Sequence, residues 1–403
     1  MTEQEASAVA RFIEYLQIKT VQPHPDYASC QRFLERQARE LGLEFQAHEY
    51  VAGKPVVVLT WRGTAPALPS IILNSHTDVV PVSEEFWAHP PFGACRVPAG
   101  SDFKIVARGA QDMKIVGHGY LEAVRRLQAR GERLRRTLHA VFVPDEEIGG
   151  HDGMARFVAS PEFAALNAGF ALDEGMASPQ GPLRVFYGER APCWVRFVAR
   201  GNAGHGSQFI PDTAAEKLLP VISHLMEFRQ EQLARLNEPL AGGARRDLGD
   251  VTTTNLTMMN AGKQHNVVPE CASVSFDIRM TPHTDYLQFK QRLQRLADAS
   301  GVQLEIVQFW DDNSTTSTDP ADIFWRAFEQ AVEGQGFSIK KEIFPAATDS
   351  RYLRRAGIPA LGVTPLCNTP ILLHDHNEYV LESDVLRSID FYTSVIAALA
   401  NAE

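Results

Sequence analysis

The chain has 403 residues, 44% of them hydrophobic, and a net charge of −10. At roughly 150 residues per domain this length predicts two or three domains, and the hydrophobic fraction supplies more than one buried core, which excludes a disordered chain. An acidic chain without a basic stripe argues against nucleic acid as a partner.

The start of the chain lacks the basic segment and apolar stretch of a signal peptide. Val9, Phe12, Ile13 and Leu16 instead recur at helical spacing and predict an amphipathic first helix. Cys30 to Leu41 reads as a second helix, stopped by Gly42. Val56–Leu59, Ile71–Leu73, His139–Val143 and Gly169–Leu172 read as short buried strands, with a helix from Gly119 to Ala129 between two of them. Such alternation predicts an α/β fold with a mixed, largely parallel sheet carrying helices on both faces.

The texture changes after Gly188. Trp194–Ala199, Val251–Met258, Ala272–Met280 and Leu304–Phe309 read as strands, and Thr213–Leu236 and Tyr286–Ala297 as helices. The order βαββαβ predicts an inserted α+β domain of the ferredoxin-like type. Residues 239–249 read as a surface connection. Beyond a polar stretch at 311–322 the first texture returns, with a helix over Ile323–Val332, an apolar run at Pro359–Val363 and a closing helix over Ser383–Leu399. The expected division is therefore 1–186 and 312–403 as one domain, interrupted by 187–311.

No run approaches the ~18 apolar residues that a membrane span requires. Cys30, Cys95, Cys193, Cys271 and Cys367 are scattered, with no C-x-x-C pair. That pattern fits reduced thiols in a cytoplasmic protein better than a disulfide framework or a thiolate-bound zinc.

Chemistry gathers at the ends of four apolar, strand-like runs. Ile71–Leu73 leads to His76 and Asp78, His139–Val143 to Glu146 and Glu147, Gly169–Leu172 to Asp173 and Glu174, and Ile371–Leu373 to the segment His374–Glu378. A fifth segment, ARGAQDMK, places Asp112 just before a helix. In an open α/β sheet, function collects beyond the carboxyl ends of the strands, so these residues can converge. Two histidines and three carboxylates suffice for two zinc ions with one carboxylate as a bridge. Asp78, two residues beyond His76 in an extended chain, is placed to accept the imidazole's second N–H. Glu146 and Glu147 point apart, so one can bind metal while the other serves as general base. Singly, each of these is an ordinary surface or capping residue; four such strand ends together predict a metallohydrolase.

The motifs SHTDVVPV, GAQDMK, PDEEIGG, ALDEG and HDHNE, in this order, resemble the two-zinc exopeptidase and deacylase family of carboxypeptidases, dipeptidases and deacetylases. In NSHTDVVPV, ARGAQDMK, DTAAEKL, PAATDSRY and LLHDHNE the likeness is to its aminoacylases, and it spans the chain from first helix to last. The resemblance implies that His76, Asp112 and Glu174 hold one zinc, and that Asp112, Glu147 and His374 hold the other. It implies Glu146 as general base, Asp78 as the orienting carboxylate, and His376 as structural. The inserted domain resembles the family's lid, which also carries the dimer contact. Asn266 and Arg279 match lid residues that hold the substrate carboxylate, and His205 matches a lid histidine that reaches the partner subunit's active site. The implied activity is hydrolysis of small-molecule N-acyl-L-amino acids by a homodimer. A dipeptidase or carboxypeptidase on the same scaffold is the alternative, and a non-catalytic homologue is the third reading.

Overall fold

The computed structural model describes residues 2–240, 243 and 245–403. Of the expected surface connection at 239–249, residues 241, 242 and 244 lie outside the described residues, as does Met1 of the expected first domain. The chain forms two compact units. One comprises 1–187, 316–341 and 348–403, and the other 188–315 and 342–347. Residues 312–315 and 342–347, expected to belong to the first unit, therefore pack with the second.

Along the first unit run β1 (Glu44–Glu49), β2 (Pro55–Trp61), β3 (Ser70–His76), β4 (Cys95–Ala99), β5 (Asp102–Val106), β6 (Leu138–Val143), β7 (Ala168–Asp173) and β8 (Leu183–Glu189). The second unit holds β9 (Ala191–Arg200), β10 (Gly204–His205), β11 (Thr253–Ala261), β12 (Val267–Val268), β13 (Cys271–Met280) and β14 (Gln303–Phe309). The last strands are β15 (Ile339–Phe344), β16 (Ala360–Val363) and β17 (Tyr379–Leu381).

The main sheet has eight strands in the order β1-β2-β6-β3-β7-β16-β8-β15. Its centre is parallel: β3 pairs in parallel with β6 and with β7, and β16 with β7. Antiparallel pairings flank that centre, β1 with β2, β2 with β6 and β16 with β8. β3 and β6 are buried along their whole length, with apolar runs at Ile71–Leu73 and Ala140–Val143, as befits strands covered on both faces. Helices Glu3–Gln17, Ile115–Ala129, Ile323–Glu333 and Glu382–Ala400 supply Phe12, Leu16, Tyr120, Trp325 and Tyr392 to one large apolar core with β3, β6 and β7. At roughly 1.5–3 kcal/mol per fully buried large apolar side chain, this core holds the strand ends in fixed register.

Helix Tyr27–Leu41 ends where Gly42 turns left-handed at φ 62°. Helix Ile115–Ala129 begins four residues before the expected start. A hairpin, β4–β5, joins β17 in a three-stranded sheet that the sequence pattern does not reveal. Ile371–Leu373 is not a strand. Pro370 precedes it, and the amide of Leu372 is taken by the Gln111 side chain at 3.1 Å instead of by a ladder partner.

The second unit has its own core, in which Val195, Phe197, Val274, Phe276 and Ile278 of a four-stranded sheet meet Leu218 and Leu225 of helix Ala214–Asn237 and Leu293 of helix Tyr286–Ser300. The strand order is β11-β13-β9-β14, and every pairing is antiparallel. β10 and β12 form a separate two-stranded ribbon. Among the described residues no helix is long and apolar enough to cross a membrane.

Candidate metal centre

Because β6, β3 and β7 are adjacent and parallel, their carboxyl ends open onto the same place. His76 closes β3 opposite Val143 of β6. The chain then leaves β6 through Asp145, left-handed at φ 64°, into a short turn over Glu146–Ile148. Asp173 closes β7, and Glu174 follows it. Asp112 enters from the irregular turn Ala110–Lys114 at the head of helix Ile115–Ala129. His374 enters from the segment before β17, itself left-handed at φ 62°. A non-glycine residue in that region is uncommon and costs of order 1–3 kcal/mol, and such positions gather at functional sites.

Asp112 is the geometric centre. Its Oδ1 lies 3.0 Å from His76 Nε2, and its Oδ2 lies 3.3 Å from His374 Nε2. His374 Nε2 is also 3.0 Å from Glu147 Oε2, and His76 Nε2 is 3.9 Å from Glu174 Oε2. Potential ligand atoms of His76, Asp112 and Glu147 all lie within 4.8 Å of one another, as do those of His76, Glu146 and Glu174. The five residues expected as metal ligands, and Glu146 with them, are thus brought together. One oxygen of Asp112 faces each histidine.

Asp173 and Glu174 are held differently. Asp173 is engaged by Asn74 Nδ2 at 2.9 Å, by Ser350 Oγ at 2.7 Å and by the Glu174 amide at 2.8 Å. Its oxygens are therefore committed to the scaffold, and Glu174 is the acid left facing the histidines.

Asp78 differs from the expectation. The nearer partner of His76 Nδ1 is the Asp78 carbonyl oxygen, at 2.9 Å, while its carboxylate stands 3.6 Å away. That carboxylate instead accepts from the backbone amides of Glu146 at 3.1 Å and Glu147 at 3.2 Å, and from Gln22 Nε2 at 2.9 Å. The carbonyl is closer and needs no particular rotamer. Asp78 is fully buried and fixes the turn that presents both glutamates.

The acids and histidines of this cluster shift one another. Burial lifts the carboxyls of Glu146 and Glu174 well above the usual range, with Asp349 and Glu147 adding to the first and Asp112 and Glu146 to the second. Burial, then Asp112, raises Glu147 as well. Burial also works against Asp112, but hydrogen bonds from His374 and His76 hold it well below the ordinary carboxylate value. His374 is raised to about 10 by its hydrogen bonds to Asp112 and Glu147. Burial opposes a charge on His76, yet Asp112 and Asp78 hold its pKa well above the usual histidine value. The two histidines thus stand one on each side of Asp112, within a cluster of acids whose negative charge attracts cations. Imidazole nitrogen and carboxylate oxygen without thiolate form a donor set that zinc accepts.

In the second unit, His205 on β10 pairs with Val267 on β12, and the Gly206 amide donates to the Asn266 carbonyl at 2.8 Å. The ribbon therefore brings His205 and Asn266, both exposed, side by side. Arg279 sits on β13, where its Nε and Nη2 donate to the Asp277 carboxylate at 2.8 and 3.2 Å. Trp194 Nε1 donates to the same carboxylate at 3.0 Å. Two side chains that support these groups, Asp277 and Ser350, carry no signal in spacing alone.

The protein-family model for peptidase family M20/M25/M40 matches residues 72–398. Aminoacylase-1 of Mus musculus is 51% identical over 403 residues, covering 99% of this chain and 97% of the relative. Aminoacylase-1 of Sus scrofa is 50% identical over 402 residues, with the same coverage. Among solved structures, an M20 family metallo-carboxypeptidase of Sulfolobus solfataricus superposes with a TM-score of 0.75 at 18% identity, covering 99% of each chain. The chain belongs to peptidase family M20/M25/M40 and is similar to aminoacylase-1 from end to end.

Proposed function

We propose that this protein hydrolyses N-acyl-L-amino acids to a carboxylate and a free L-amino acid. The observation that carries this reading is half identity to aminoacylase-1 over nearly the full length of both chains. The convergence of two histidines and three glutamates around Asp112 supports a metal-dependent form of it.

His76, Asp112 and Glu174 would hold one zinc ion, and Asp112, Glu147 and His374 a second. Bound there, the ions would supply polarisation of the acyl carbonyl and acidify a water molecule. Glu146 would take a proton from the attacking water as its oxygen bonds to the acyl carbon, and would return it to the amine nitrogen as the C–N bond breaks. Asp78 holds the backbone of Glu146 and Glu147 so that the base and the ligand face different ways. Arg279 and Asn266 bind the substrate carboxylate, for which a guanidinium offers two parallel donors. Asp277 and Trp194 keep that guanidinium in one orientation. His205 donates to the developing oxyanion in the active site of the partner subunit.

The second unit serves as the lid. Its strand order, with β9 and β13 central and β11 and β14 at the edges, supports the ferredoxin-like reading. The exposed Met258 and Met259 on edge strand β11 support pairing with a second copy, hence a homodimer. Five free cysteines support a reducing, cytoplasmic setting.

Elemental analysis of zinc-replete protein should find close to two zinc ions per chain, and dialysis against a chelator should abolish turnover. Full activity in metal-free protein would end the proposal. The substrate class is tested with matched panels of N-acetyl-L-amino acids, their amides and dipeptides. Free acids should be cleaved, amides should be very poor substrates, and Arg279→Ala should erase most of the acid–amide difference. Turnover of dipeptides alone would make the protein a dipeptidase on the same scaffold.

A further inference from the structure

Glu378 lies four residues beyond His374 and is fully buried. Its carboxylate is not among the groups that meet at the metal centre. It is filled instead by four donors from the loop that carries Asp112. Oε2 accepts from Arg108 Nη1 at 2.8 Å and the Gly109 amide at 2.9 Å. Oε1 accepts from the Gln111 amide at 2.6 Å and from the amide of Asp112 itself at 3.2 Å. The Glu378 carbonyl takes the Ala107 amide at 3.0 Å as well. Three backbone N–H groups curling around one carboxylate make a concave anion site, and here the anion is a side chain of the same protein. The curl requires Gly109, which is left-handed at φ 83° and whose added Cβ would stand 2.7 Å from Val79.

Gln111 returns the grip. Its Nε2 donates to the carbonyls of Pro370 at 3.0 Å and Tyr379 at 2.9 Å, and its Oε1 accepts from the Leu372 amide at 3.1 Å. The segments 107–112 and 370–379 are thus stapled in both directions. One carries Asp112 and the other His374, the two groups whose Oδ2 and Nε2 stand 3.3 Å apart. Between His374 and Glu378 the chain passes through two left-handed residues, His374 at φ 62° and Asn377 at φ 57°. Such a bent segment keeps its shape only if its neighbours over-determine it.

We infer that Glu378 and Gln111 are positioning residues for the metal centre: their reciprocal clamp sets the spacing of Asp112 and His374 and so the affinity of the ion those two ligands share. The inference rests on the proposed metal-dependent reading. A carboxylate buried without a role in the site would be a poor stabiliser, since its desolvation offsets most of what its partners return. Used as a template it fixes the backbone at Asp112 itself. Groups that orient metal ligands typically contribute a factor of ten to a hundred in affinity.

The test is chelator-competition titration of the full-length apoprotein with zinc, alongside the absorption spectrum of the cobalt-loaded protein. Wild type should take up two ions, and failure there would sink the metal-dependent reading itself. Glu378→Gln keeps size and shape but turns two of its acceptor positions into a donor. It should weaken one of the two bound ions by about tenfold to a hundredfold and alter the cobalt ligand-field bands, while the far-ultraviolet spectrum of the apoprotein is unchanged. Gln111→Met removes only the return grip and should shift affinity in the same direction by a smaller factor; it stands as the test should Glu378→Gln not fold. Arg11→Met removes a two-pronged ion pair with Glu122, at 2.7 Å for both contacts, elsewhere in the same unit, and should leave both affinities alone. Two ions bound as tightly by folded Glu378→Gln or Gln111→Met as by wild type would overturn the inference. So would an equal loss in Arg11→Met, which would mark the effect as general destabilisation.

Discussion

Glu146→Gln should bind metal as wild type does and turn over about 10²–10⁴-fold more slowly, the usual worth of a positioned general base. The expectation follows from how the turn after β6 divides two neighbouring acids. Glu147 Oε2 is 3.0 Å from His374 Nε2, inside the ligand cluster around Asp112. Glu146 approaches the cluster from the side of His76 and Glu174. Asp78 holds both of their amides, so neither can exchange roles by a backbone flip without losing hydrogen bonds of 3.1 and 3.2 Å. An amide at 146 preserves that geometry but cannot accept a proton. KM should change little, because the substitution removes an interaction realised only in the transition state. Metal loss in Glu146→Gln combined with metal retention in Glu147→Gln would show that the assignments are reversed.

The residues that meet around Asp112 were legible because each follows, or precedes, a strong local pattern. His76, Glu147 and Glu174 all sit just past runs such as Ile71–Leu73 and His139–Val143, whose burial is written in their composition. Parallel pairing of β3 with β6 and β7 then brings the ends together without further information. His374 was reached by a weaker route, because Ile371–Leu373 looks like a strand but lacks a partner. Its position is set by Gln111 and Glu378, side chains more than 250 positions from one another in sequence, and no spacing rule joins them. The hairpin β4–β5 is hidden for a related reason: each strand is only five residues long, β4 contains Pro98, and β5 does not alternate. Asp78 marks a subtler limit. Periodicity sets the face of a side chain but is silent about carbonyl oxygens, and the Asp78 carbonyl is the closer partner of His76.

His205→Ala homodimers should lose about 10²–10³ in kcat, the usual loss on removing one oxyanion donor, and mixing them with Glu146→Gln homodimers should restore activity. His205 is exposed on the β10–β12 ribbon beside Asn266, and its Nδ1 is engaged by Ser207 Oγ at 2.8 Å, which leaves Nε2 as the nitrogen turned outward. An imidazole oriented by a serine two residues away is prepared to act on something outside its own ribbon. In a symmetric dimer with composite sites, exchange of subunits between the two variants creates molecules with two unequal sites. One site combines the damaged base with the damaged histidine. The other combines an intact metal centre with the intact histidine of its neighbour. Random reassortment puts about half of the dimers in the mixed state with one working site each, so activity should recover toward about a quarter of wild type. The recovery should appear with the time course of subunit exchange, followed by differently tagged chains, and should be absent when exchange is blocked by crosslinking before mixing. Confirmed exchange without recovery would place His205 in service of its own chain's site, or of none.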